Sequence, residues 1–144
     1  RRLALQSVRR NMTNIVAQRL TYYGIFLFSI AIAAVSYDPR TATFGFYAPA
    51  KTALFSGGIC GGLSILWSAL LRRGLQWPLS AAIASTLVFL TAFTWRATVG
   101  WMAVAAGDTH KWFAASLISL MWIASAALVV FLVCARAELA RDAR

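Results

Sequence analysis

Few side chains in this chain are suited to covalent or acid–base work, and their positions narrow what that work is. One histidine exists, His110, next to Lys111. It offers either a ligand for a tetrapyrrole metal, a contact to a phosphate, or simply a wet side chain at a membrane surface. Two-histidine haem ligation inside one chain is excluded by count. Two distant cysteines, Cys60 and Cys134, and one histidine make no metal cluster. No serine–histidine–acid arrangement is expected, because only Asp108 stands near His110 in sequence. All four acids, Asp38, Asp108, Glu138 and Asp142, fall outside the long apolar runs. Moving a proton or ion across a bilayer normally requires an ionisable group at membrane depth. A pump, a rotor subunit or an ion-coupled carrier is therefore disfavoured. The expectation is a non-enzymatic protein with no catalytic residue, no metal and no cofactor beyond a bound phospholipid.

The elements that position these residues follow from the runs without charge. A transmembrane helix needs about 20 apolar residues. Four stretches free of Asp, Glu, Lys and Arg meet or approach that length: 20–37, 52–71, 75–95 and 112–135. Backbone groups in lipid must bond within their own segment, and no run alternates with period two, so each is predicted helical. The connections agree. Asp38-Pro39-Arg40 ends the first run, Pro49 precedes the second, Arg72-Arg73-Gly74 is a tight turn, and Pro78 falls in the opening turn of the third. Asp108 or Thr109 is placed to cap the fourth. The predicted fold is all-α: a polytopic membrane protein of four transmembrane helices, 20–135, preceded by an amphipathic surface segment, 1–19, and followed by a basic tail, 136–144.

Composition leads to the same place. Of 144 residues, 60% are hydrophobic and 12% charged, about half the charged fraction of an ordinary soluble domain. A soluble core of this size has no room for that much apolar surface. The net charge of +10 would suggest nucleic acid on a soluble protein. Here the cations cluster at segment ends, which speaks for positive-inside topology and contact with anionic lipid, and against nucleic acid. Arg1, Arg2, Arg9, Arg10, Arg19, Arg72, Arg73, Arg136, Arg141 and Arg144 sort to one side of a four-span bundle. Arg40, Lys51, Arg96 and Lys111 sort to the other. The bias places both termini on the matrix, stromal or cytoplasmic face. Tyr22, Tyr23, Tyr37, Trp67, Trp77, Trp95 and Trp112 lie near span ends, the depth amphipathic rings prefer; Trp122 lies halfway along the fourth span. Cys60 falls mid-span and Cys134 at a helix end, about 15 Å apart in depth, so they are not expected to pair.

Residues 1–19 place Leu5, Val8, Met12, Ile15 and Val16 on one helical side, with Arg9, Arg10, Asn14 and Gln18 over much of the rest. An acid-free, arginine-bearing stretch of this kind lies flat at an anionic surface. It also looks like the remains of an organellar targeting sequence, in a chain that begins with Arg. Arg9, Arg10, Arg19, Arg72, Arg73, Arg96 and Lys111 are the candidate contacts for anionic lipid or ligand. For Arg96 that role competes with snorkelling to the headgroups.

The strongest local pattern is Ser56-Gly57-Gly58-Ile59-Cys60-Gly61-Gly62, two overlapping small-xxx-small repeats at Gly57/Gly61 and Gly58/Gly62, continued by Ser64 and Ser68. Glycine is costly inside a helix unless backbones must approach, and in lipid close approach is a main source of helix attraction. Gly57, Gly58, Gly61, Gly62 and Ser64 are thus the candidate packing residues, either the hub of the bundle or a contact for a neighbouring subunit. Ser80, Ala84, Ser85, Ala115, Ser116 and Ser119 are offered as partners from the third and fourth spans.

Tyr23-Gly24 opening the first span, the glycine pairs of the second, Arg96 after the third, and Lys111-Trp112-Phe113-Ala114-Ala115-Ser116-Leu117 opening the fourth resemble the transmembrane protein 14 family, which includes the plastid fatty-acid exporters. The resemblance covers about 110 residues and its motifs are short. The spacing from Arg96 to Lys111 is longer than that family's turn, and the proline that follows its lysine is missing. The resemblance implies an organellar inner membrane and passage of hydrophobic anions such as fatty acids or porphyrin precursors, with Arg96 and Lys111 as the positions to test. The residues themselves point first to an accessory or scaffold subunit of a larger membrane complex, bioenergetic and organellar. The mitochondrial inner membrane is the expected location, with plastid or bacterial inner membrane as alternatives, and its partners are lipids and other membrane subunits.

Overall fold

A computed structural model describes residues 2–38, 43–44, 51–75 and 77–141, with side chains described over 10–36, 55–75 and 77–141. Helix α1 runs from Arg2 to Ser36. Two-residue strands β1 (Tyr37–Asp38) and β2 (Thr43–Phe44) then pair antiparallel, with Tyr37 opposite Phe44. Helix α2 spans Lys51–Arg72, α3 Trp77–Ala105 and α4 Trp112–Arg141, with a 3₁₀ turn at Thr109–Lys111 ahead of the last. All four helices are long and apolar enough to cross a membrane. The fold is an all-α polytopic membrane bundle.

The helices form two antiparallel hairpins, α1 with α2 and α3 with α4, which meet through α1–α4 and α2–α3. Antiparallel order is fixed by the contacts. Gly24 meets Gly61 while Ala31, further along α1, meets Gly57, further back along α2. The buried side chains are mostly apolar, with the hydroxyls of Ser64, Ser68, Thr86 and Ser125 among them. Leu20, Leu27 and Leu132 are completely covered, with Phe93, Met121 and Leu128 around them. The outward faces carry large apolar residues such as Ile59, Val88 and Val130, as expected where the solvent is hydrocarbon.

Glycine ends two of the helices for a conformational reason. Gly107 has φ +101°, and the Asp108 N–H donates to the Ala103 carbonyl at 3.1 Å while the Gly107 N–H donates to Val104 at 3.0 Å. This is the paired 6→1 and 5→2 closure that satisfies terminal carbonyls. Gly74, at φ +83°, ends α2 in the same region. Gly107→Ala is expected to destabilise the protein by about 1 kcal/mol, the cost of a Cβ in left-handed backbone. Thermal unfolding in detergent checks this; an unchanged midpoint would contradict it.

Several boundaries differ from the sequence expectation. Nothing breaks the chain at residue 20. Val16 and Ala17 are buried in the core, so the bundle starts a turn before the first charge-free run, and α1 continues through Arg19. Residues 2–19 and the first span form one continuous helix, Arg2–Ser36. α3 extends ten residues past 95 and α4 six past 135, because single arginines at helical spacing do not interrupt backbone hydrogen bonding. The connection between α1 and α2 contains the small β ladder. Asp108 makes no side-chain cap; its carboxylate pairs with Lys111 Nζ at 2.9 Å. The Lys111 ammonium holds the Asp108 carboxyl below the usual carboxylate range. Pro39, Arg40 and Pro49 lie outside the described residues, as do Arg1 and Arg144.

Candidate functional site

Two constructions dominate the bundle: a glycine seam with its hydroxyl pins in the interior, and an arginine-lined mouth at one end. The seam joins α1 to α2. A Cβ on Gly61 would stand 2.8 Å from the Gly24 carbonyl oxygen, and a Cβ on Gly24 would stand 2.8 Å from the Gly61 oxygen. A Cβ on Gly57 would meet the Ala31 Cβ at 2.6 Å. Backbones this close leave no space for a side chain, which explains glycine at all three positions. Gly58 and Gly62 behave differently: a Cβ on either would meet nothing within 4 Å. The two overlapping repeats of α2 therefore point in different directions, Gly57/Gly61 inward against α1 and Gly58/Gly62 outward. The expected partners on α3 and α4 are not the ones used by the glycines. Ala115 packs instead against Gly100, whose Cβ would lie 3.3 Å from it.

Every neighbouring pair of helices is also joined by a side-chain hydrogen bond. Between α1 and α2, Thr21 and Ser68 hydroxyls lie 2.7 Å apart and Ser68 donates to the Ala17 carbonyl at 2.7 Å. Between α2 and α3, the Trp67 indole donates to Ser85 at 3.2 Å. Between α3 and α4, Trp122 donates to Thr94 at 2.7 Å and Trp101 to Ser119 at 2.9 Å. The ring closes where Tyr23 meets Ser125 at 2.6 Å. Ser125 spends its own proton on the Met121 carbonyl at 2.7 Å, so Tyr23 is the donor. Ser64 is buried and donates to the Cys60 carbonyl at 2.9 Å. Cys60 and Cys134 are free thiols, the first buried and the second exposed.

Interhelical hydrogen bonds in lipid contribute about 0.6 kcal/mol on average and up to about 1.7. Tyr23→Phe is expected to cost an amount in that range, since it removes the donor and leaves the ring. Denaturation in mixed micelles reads it. A variant as stable as the parent would show that the hydroxyl contributes nothing.

The mouth lies at the end of the bundle that carries the α2–α3 turn. Its lining brings together Arg10 and Asn14 from α1, Arg72, Arg73 and Leu75 from the turn, Trp77, Leu79 and Ser80 from the start of α3, and Arg136 and Leu139 from α4. The half-enclosed cavity has a volume of about 700 Å³, within the range of small-molecule sites, roughly 300–1,000 Å³. Among the described residues no carboxylate lines it. Arg72 Nη2 reaches Thr21 Oγ1 at 3.5 Å, which ties one guanidinium to the interior hydroxyl chain. Trp77, which lines the cavity, packs edge-on against Trp67 with ring centroids 5.6 Å apart, at the start of α3, and indoles favour such span ends. The lining thus combines four arginines with apolar side chains from Leu71, Leu75, Leu79 and Leu139.

Of the residues expected to touch anionic lipid, Arg10, Arg72 and Arg73 meet in this cavity. Arg136, not singled out in the sequence, completes it. The signal was present in its position directly after the last apolar run. Arg19 is exposed on α1 but does not line the cavity, and the Arg9 side chain lies outside the described residues. Lys111 is committed to Asp108 at the opposite end.

The α3 helix does not end at Arg96 but continues past it. Arg96 is exposed and stands nine residues before the end of α3, about 13 Å along the axis. Counted from Trp77, α3 exceeds a hydrocarbon core of about 30 Å by roughly the same length. Arg96 is thus near the far hydrocarbon boundary, within reach of the headgroups. No protein-family model, curated protein or solved structure matches this chain.

Proposed function

We propose that this protein is a non-catalytic subunit of a larger membrane assembly, contributing helix surface and lipid contact. The observation that carries this reading is the division of the α2 glycines. Gly57 and Gly61 are required by α1, whereas Gly58 and Gly62 face outward with open space where a Cβ would be. An outward glycine costs about 1 kcal/mol relative to alanine unless a backbone approaches it. A transmembrane helix of a neighbouring subunit is the occupant that would offset that cost, by the same small-residue packing that α1 uses. The basic end faces the matrix, stroma or cytoplasm in this reading, the side that positive-inside bias selects. An organellar inner membrane, the mitochondrial one first, is the location it suggests.

The experiment is purification of the native membrane assembly in mild detergent, followed by identification of co-migrating chains. Stoichiometric companions that survive gel filtration support the subunit reading. A lone monomer or homodimer would overturn it.

A second reading, a small carrier of hydrophobic anions of the transmembrane protein 14 type, is favoured by two observations. The arginine-lined mouth opens at one end of the bundle, and Arg96 stands within α3 toward the other. Transport requires the two to be joined through the bundle. Efflux of a fluorescent fatty acid from vesicles carrying the purified chain, lost in Arg96→Gln, would favour this reading.

A further inference from the structure

We infer that the arginine mouth is a binding site for an anionic membrane lipid whose headgroup carries two phosphates. The inference stands whether the protein serves as a subunit or as a carrier. Four arginines, Arg10, Arg72, Arg73 and Arg136, line one cavity of about 700 Å³. They come from three separate parts of the chain: the first helix, the α2–α3 turn and the last helix. Chance clustering along one surface helix does not produce this, because the bundle has to fold before they meet. Like charges brought together without a carboxylate among the described lining residues repel one another, and the repulsion is relieved by an anion. Guanidinium groups hold phosphate oxygens through paired N–H donors. One phosphodiester engages one or two such forks, so four forks around a cavity of this size match two phosphates.

The remaining lining tells a lipid from a soluble phosphate. Leu71, Leu79 and Leu139 line the same cavity as the guanidiniums, giving the ligand an apolar side as well as a charged one. Trp77 stands in the wall, at the level where phospholipid glycerol and phosphate groups lie. Basic pockets between membrane helices at the cytoplasmic or matrix face are suited to lipids with several phosphates. The shared chemistry is a pair of phosphates; the predicted source is diphosphatidylglycerol or a lipid of equivalent charge.

The test uses the full chain in detergent, titrated with diphosphatidylglycerol, phosphatidylglycerol, phosphatidylcholine and inorganic pyrophosphate, with binding read by native mass spectrometry. Diphosphatidylglycerol is expected to bind at a concentration about tenfold lower than phosphatidylglycerol, each neutralised arginine contributing a factor of several. Pyrophosphate is expected not to displace it. Two double variants from different helices, Arg10→Gln/Arg136→Gln and Arg72→Gln/Arg73→Gln, should each remove the preference. Arg141→Gln, outside the cavity, should retain it. All these arginines are exposed, and Arg72 also contacts Thr21, so thermal unfolding of each double variant is measured alongside, and either variant that unfolds like the parent decides. Equal binding of the two lipids, full displacement by pyrophosphate, or a preference that survives either folded double variant would overturn the proposal.

Discussion

Gly61→Ala destabilises the bundle by about 1–3 kcal/mol, the usual cost of overpacking, while Gly62→Ala, one residue away, is neutral or stabilising by up to about 1 kcal/mol. The contrast follows from geometry. A methyl group on Gly61 meets the Gly24 carbonyl oxygen at 2.8 Å and the Phe28 ring at 2.9 Å. The ring can turn, but the carbonyl belongs to a helix whose own hydrogen bonds fix it, so α1 and α2 must separate. Separation then strains the Thr21–Ser68 contact a few residues further along the seam. Gly62 faces outward with nothing within 4 Å, so a methyl group there only improves helix propensity. Gly61→Leu is expected to prevent recovery of a monodisperse monomer. Gly24→Ala should behave like Gly61→Ala, and the double variant should cost less than the sum, because one separation relieves both clashes. Denaturation of the purified variants in mixed micelles gives all of these values. Equal effects at 61 and 62 would contradict the placement of α2.

The second large effect concerns the outer face of the same helix. Gly58→Leu/Gly62→Leu leaves the isolated bundle as stable as the parent, yet abolishes stoichiometric co-purification with partner subunits. Leucine at these positions fills the open space that a partner backbone would occupy, and small-residue interfaces lose their attraction when the backbones cannot approach. The measurement is the yield of companions after gentle solubilisation of membranes containing parent or variant chain, with unfolding of each purified chain as the control. Retention of companions by the variant would remove the outer glycine face from the interface. Loss of stability in the isolated chain would mean that the face is used within the bundle.

How much of this was legible in the sequence depends on the range of the interaction. Charge-free runs report local solvation, so four spans could be read directly, and the Arg72-Arg73-Gly74 turn marked a hairpin. Helix ends were less legible, since an arginine such as Arg19 or Arg96 interrupts a run of apolar residues without interrupting a helix. The glycine pattern identified α2 as the close-packed helix but not which pair faced inward. Gly58/Gly62 and Gly57/Gly61 differ by one residue, about 100° of rotation, and only the position of α1 decides between them. Tyr23–Ser125 joins residues 102 apart in sequence, and the indole–hydroxyl pairs span 18 or 28 residues. Such pairings depend on the crossing of helices and have no local signature. Ser125 in the middle of an apolar run was the available hint, since a hydroxyl there needs an acceptor. The arginine mouth was legible as a charge bias at one end; its convergence into one cavity, and the part played by Arg136, required the return of α4 alongside α1.

Sided cysteine labelling in sealed vesicles addresses the membrane-spanning bundle itself. In a Cys60→Ala/Cys134→Ser background, single cysteines replace Arg73, Arg141, His110, Val88 and Val130, and a membrane-impermeant maleimide is applied from one side or the other. Positions 73 and 141 should react from one face only and position 110 from the opposite face. Positions 88 and 130, exposed on mid-helix surfaces, should react from neither. Labelling of 88 and 130 by the aqueous reagent, or of 73 and 110 from the same face, would contradict a bundle whose solvent is lipid.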